Sequence, residues 1–132
     1  MYRKLAQEIL GKKYSLSVAF IGEKKSREIN KRYRRKNAPT NVLAFPLEKN
    51  TGEILLCKKV IKKDAKKSGV AYQEFLEYLV IHGMLHLKGM RHGSIMEKLE
   101  RKYNEKYFRR HRRGLRHDQG RGGRISKRRK KS

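Results

Sequence analysis

The spacing of apolar and polar side chains divides the first 108 residues into short helices and strands. Leu5, Ile9 and Leu10 recur at helical spacing between Tyr2 and Lys12, and Gly11 stops the run, which predicts a short helix. Leu16, Val18 and Phe20 alternate with Ser17, Ala19 and Ile21 before Gly22, the pattern of a strand. Ser26 is placed to cap a helix reaching about Lys36, with Ile29 and Tyr33 four apart on its inner face. Pro39 breaks that helix, because a proline disfavours α geometry at the residue before it. Val42 to Leu47 reads as a strand, Asn50-Thr51-Gly52 as a turn, and Glu53 to Cys57 as a second strand; so short a link predicts a hairpin.

The second half of this stretch is helical. Val60 to Lys67 forms a weak, lysine-rich helix ended by Gly69. Tyr72 to Leu87 carries the strongest helical pattern, with Phe75, Leu76, Leu79, Val80 and Met84 three or four apart, and Gly89 ends it. Ile95, Leu99 and Tyr103 mark a final helix to Phe108. No internal repeat is visible. The expected fold is α+β: a single small domain over residues 1–108, its helices packed on a modest mixed sheet.

Composition adds a second part. Of the 132 residues, 37 are Lys or Arg and 12 Asp or Glu, for a net charge of +25. Residues 109–132 hold twelve of those basic residues against one acid, Asp118, and only Leu115 and Ile125 are aliphatic. A stretch with so little to bury is expected to be a disordered basic tail until it binds something. Charge of this size opposes a compact monomer by self-repulsion unless an anionic partner relieves it. Nucleic acid is favoured over a membrane surface, since each cation placed on a phosphate releases a condensed counterion. No apolar run approaches the ~20 residues of a membrane-spanning helix. Met1 to Leu10 lacks the apolar core of ~7–15 residues of a secretory signal. The lone Cys57 cannot form an internal disulfide, which fits a reducing cytoplasm.

Three of the five histidines fall within eleven residues. His82 and His86 are four apart, so they share one helix face, and His92 follows the turn that Gly89 permits. The spacing His-x3-His-x2-Gly-x2-His is the ligand pattern of metzincin zinc sites. Three neutral imidazoles with an open fourth position are a catalytic arrangement, and zinc is the favoured ion, with nickel and copper compatible by ligand type. A single histidine here would read as an ordinary polar helix residue. Metalloproteases place a glutamate base directly after the first histidine, and Gly83 stands there, which disfavours a peptidase. His111 and His117 belong to the tail and have no such spacing.

Ile29 to Pro46 is the other informative segment: a basic helix end, a Pro-Thr-Asn turn and a strand. Arg34 is its candidate phosphate ligand, since a guanidinium fork can hold a phosphate and stabilise charge developing on it. The run His82-Gly83-Met84-Leu85-His86-Leu87-Lys88-Gly89-Met90-Arg91-His92 resembles the HGxLHLxGYDH signature of the YbeY family, bacterial endoribonucleases of rRNA maturation. Tyr33-Arg34 followed by Pro39-Thr40-Asn41-Val42-Leu43-Ala44-Phe45-Pro46 is similar to that family's YRgkd-PTxVLSFP block. Gly52-Glu53-Ile54 stands where the family has Gly-Asp-Ile, and Met96, Glu97 and Glu100 fit its acidic final helix.

The resemblance covers roughly Leu5 to Phe108 and implies one zinc ion on His82, His86 and His92, with Arg34 as the functional arginine. It also implies single-strand-specific cleavage tied to 16S rRNA maturation and quality control of the small ribosomal subunit. Whether the nucleophile is water or the substrate's 2′-hydroxyl stays open. Four departures stand out. Arg91 replaces the aspartate before the third histidine, Met90 replaces a tyrosine and Ala44 a serine. The strand that precedes the family's first helix is expected to be missing. The basic tail is no part of the family pattern. Arg91 motivates an alternative, an RNA- or ribosome-binding module that keeps the metal but has impaired catalysis.

Overall fold

The computed structural model describes residues 2–108. The expected basic tail, 109–132, lies outside the described residues. The elements run in the order α1 (Arg3–Leu10), β1 (Ser15–Phe20), α2 (Glu23–Arg34), β2 (Val42–Glu48), β3 (Thr51–Leu56), α3 (Lys58–Ser68), α4 (Tyr72–Leu87) and α5 (Ser94–Tyr107). This is the expected α+β domain, with a mixed sheet ordered β1-β3-β2. β1 runs parallel to β3, with Val18 opposite Ile54, and β2 runs antiparallel to it, with Ala44 opposite Ile54. β3 therefore sits in the middle, and its Ile54 and Leu56 are completely or almost completely buried. Pro46 is tolerated because β2 is an edge strand, where a missing N–H need not break a ladder on both sides.

α4 is the axis of the molecule. It packs on β2 and β3, and α1, α3 and α5 pack around it. A helix enclosed in this way is apolar on every side rather than along one stripe. Accordingly, Ile81 and Leu85 are buried together with Phe75, Leu76, Leu79, Val80 and Met84. The ends of the chain's described part are tied together: Glu8 of α1 accepts hydrogen bonds from Lys106 and Tyr107 of α5. Lys88, just past α4, donates to the Ile9 carbonyl at 3.0 Å.

Three expectations are corrected. Ser26 does not cap α2, which starts at Glu23 after Gly22. It lies fully buried inside the helix, where its Oγ donates to the Thr40 carbonyl and accepts from the Thr40 N–H, both at 2.9 Å. The inner face of α2 is thus polar, formed by Ser26 and Asn30, while Tyr33 is 62% exposed. The hairpin turn is Lys49-Asn50, not Asn50-Thr51-Gly52: Thr51 and Gly52 join β3 because Ser15 and Leu16 of β1 pair with them. In α5 the buried stripe is Met96, Glu100 and Tyr103, one residue out of phase with the expected Ile95 and Leu99; Ile95 is 67% exposed.

Candidate metal and phosphate site

His82 and His86 lie one turn apart near the end of α4, and the chain then reverses at Gly89, whose φ of 100° suits a residue without Cβ. That reversal returns His92 to the other two. Ring centroids are 4.4 Å apart for His82 and His86, 5.0 Å for His82 and His92, and 4.9 Å for His86 and His92. One ligand nitrogen from each ring lies within 4.8 Å of the others. The spacing read from the sequence does bring all three side chains together.

His82 is buried, and its Nδ1 lies 2.6 Å from Oε2 of Glu100, itself only 4% exposed on α5. A carboxylate accepts the Nδ1 proton, which leaves the lone pair of His82 on Nε2. His86 Nε2 stands 3.0 Å from that atom. Burial, then repulsion from His82 and His92, lowers the His86 pKa to about 4, against the weaker pull of the Met90 backbone and Glu100. His86 is therefore neutral at pH 7, the form that binds a metal. The 3.0 Å between the two Nε2 atoms is close to the ~3.3 Å between imidazoles that each lie ~2.0–2.1 Å from one tetrahedral ion. Three convergent imidazoles, one of them backed by a buried carboxylate, fit a zinc ion.

Arg34 ends α2 and, with His82, His86 and His92, lines one cleft of about 680 Å³. The side chain is exposed along the cleft, and partial desolvation of its guanidinium pulls its pKa below the ordinary value. It stays charged all the same, since an arginine is not deprotonated in a protein. The segment after it is anchored by the Ser26–Thr40 pair and by Asn30, whose Nδ2 donates to the Ala38 carbonyl at 2.8 Å. Asn41, in the same wall, donates to Asp64 of α3 at 2.9 Å.

Gly83 has a packing reason. A Cβ there would approach Ile54 of β3 to 3.0 Å, so the position that carries a peptidase's glutamate is pressed against the sheet. Arg91 is exposed in the link between α4 and α5. The carboxylate that holds His82 comes instead from Glu100, which the sequence placed in an acidic helix without assigning it to the site. A carboxylate between Met96 and Tyr103 on one helix face was the available signal, because a buried charge demands a partner. Tyr78, also missed, stacks on His82 with centroids 5.8 Å apart and planes at 28°.

A family profile described as Endoribonuclease YbeY matches residues 1–110. The chain belongs to the YbeY family. An Endoribonuclease YbeY of Buchnera aphidicola from Schizaphis graminum is 35% identical over 133 residues, covering 82% of each chain. The one from Acyrthosiphon pisum Buchnera is 34% identical, covering 76% of this chain and 75% of the relative. The YbeY of Colwellia psychrerythraea is 38% identical over 94 residues, which are 66% of this chain; the match spans 61% of that relative's length. The solution structure of a Thermotoga maritima protein superposes with a TM-score of 0.62 at 29% identity, covering 84% of this chain and 82% of the other.

Proposed function

We propose that this YbeY-family chain is a zinc-dependent endoribonuclease that cuts single-stranded regions of 16S rRNA in the cytoplasm, during maturation and quality control of the small ribosomal subunit. The observation that carries the reading is one cleft lined by Arg34 and three convergent histidines. Membership of the family supports the reaction class, and a net charge of +25 suits an RNA substrate. Among the described residues no helix is long and apolar enough to cross a membrane.

In this mechanism His82, His86 and His92 would hold the ion, which when bound would supply Lewis acidity. Glu100 fixes the tautomer and orientation of His82. Arg34 grips the non-bridging oxygens of the phosphodiester and stabilises the charge that builds up in the pentacoordinate transition state. Gly83 contributes no base, so proton transfer falls to the substrate, to solvent or to another group of the cleft. Residues 109–132 act as a separate RNA-anchoring arm appended to the 1–108 domain.

The test is zinc content by elemental analysis alongside cleavage of a single-stranded 16S fragment. Wild type should carry one zinc and cut; His86→Ala should lose both properties. Arg34→Ala should keep zinc and lose ~10²–10³ in rate, the scale of one lost transition-state donor. Full cleavage by zinc-stripped wild type would sink the zinc mechanism. Cleavage that appears only in Arg91→Asp would instead establish the RNA- or ribosome-binding module with impaired catalysis.

A further inference from the structure

The cleft contains a pair of aromatic rings that phosphate chemistry does not use. Tyr33, next to Arg34 on α2, and Phe45, on β2, both line it, and their centroids lie 5.1 Å apart with planes inclined at 59°. Phe45 is half-buried, whereas Tyr33 is 62% exposed and leaves ring surface open to water. A single exposed aromatic means nothing by itself. Three features separate this one from the other exposed large apolar residues, Phe20, Leu47 and Ile95. It lies in the cleft that holds the histidines, and they do not line it. It is backed by a second ring from a different element. Finally, the end of α2 that carries it is secured by the buried Ser26 and Asn30, so the ring's mount is preorganised.

We infer that Tyr33, backed by Phe45, is a stacking platform for an unpaired nucleobase adjoining the phosphate held by Arg34. The inference rests on the endoribonuclease reading of the cleft and gives that reading a source of strand selectivity. In a duplex both faces of each base are covered by its neighbours, so an aromatic ring can stack only after the helix is opened. A single strand offers its base faces freely. Stacking also tolerates any base, since all have a π face, so the platform selects single-stranded character rather than sequence. Arg34 supplies affinity for the phosphate that every strand has; Tyr33 supplies the discrimination.

The test separates base from backbone. Binding of the full-length protein is measured by fluorescence anisotropy to a short 2′-O-methyl RNA single strand, which resists cleavage, and to a strand of equal length made of abasic units. Wild type should prefer the base-bearing strand by ~5- to 150-fold, the contribution of one stacked base. Tyr33→Leu should abolish most of that preference and leave abasic affinity unchanged, while Tyr33→Phe restores it. Arg34→Ala should weaken both strands alike. Equal wild-type affinities for the two strands, or a preference that survives Tyr33→Leu, overturn the platform even if RNA is still cut. A preference that depends on Tyr33 in a zinc-loaded protein that cuts no RNA upholds the platform and removes the enzymatic reading instead.

Discussion

The side chain that bears most on the proposed metal centre, after the three histidines, is Glu100. It is buried and touches His82 at Nδ1, so its charge is matched to one imidazole proton. Glu100→Gln should lower zinc affinity ~10–100-fold, read by competition with a chelator, because the amide no longer accepts that proton as strongly. Unchanged affinity would mean that His82 is oriented by packing alone. His86 makes a separate, pH-dependent contribution. Its pKa of about 4 in the folded protein lies below the ~6.5 of an exposed histidine. Between these values the unfolded chain binds the extra proton, so stability is complete above about pH 6.5 and falls as the pH drops toward 4. Urea unfolding of zinc-free protein should show that loss in wild type. His86→Gln should have a flatter profile across the same window; parallel profiles would contradict the assignment.

At the scale of elements, one polar device fixes the segment that leads into the cleft wall. Ser26 ties the middle of α2 to Thr40, which precedes β2, with a hydrogen bond in each direction. Ser26→Ala should destabilise the fold by ~1–3 kcal/mol, since it takes the side-chain partner from two partly buried Thr40 backbone groups, and should lower the melting temperature accordingly. Gly52 of β3 meets a packing need instead: a Cβ there would run into the Tyr14 hydroxyl and Leu87. The α4 helix, the hairpin and the histidine triad were legible in the sequence because each rests on a local spacing. α2 was misread on its inner face because a serine and an asparagine fill the place where periodicity looks for apolar residues. α5 was misread by one position for the same reason, since Glu100 interrupts the stripe that Met96 and Tyr103 define. Both errors lie where a polar side chain is buried to hold the site, and binary patterns are blind to such residues. Gly89 was correctly placed by the sequence, and the positive φ there is what lets His92 return.

Over the whole molecule the charge has two locations with separable consequences. The folded domain exposes a row of lysines on α3, at 58, 59, 62, 63, 66 and 67, and Lys59 reaches Glu23 of α2 at 3.7 Å. Exposed pairs of this kind contribute little to stability, so the row is maintained at a cost in self-repulsion that an RNA backbone would relieve. Residues 109–132 carry twelve further cations. Each phosphate contact made by either group adds ~0.7 to the steepness with which single-strand affinity falls with salt on logarithmic axes. Removing 109–132 should therefore reduce that slope, and changing Lys62, Lys63, Lys66 and Lys67 to Gln should reduce it again in the shortened protein. Zinc content should not change in either, because neither alteration touches α4, Glu100 or the turn at Gly89. A slope unaffected by loss of the tail would confine RNA contact to the folded domain, and one unaffected by the α3 changes would place that contact on the domain's other cations. The preference for base-bearing over abasic strands should survive both alterations, because stacking on Tyr33 carries no charge and so adds nothing to the slope.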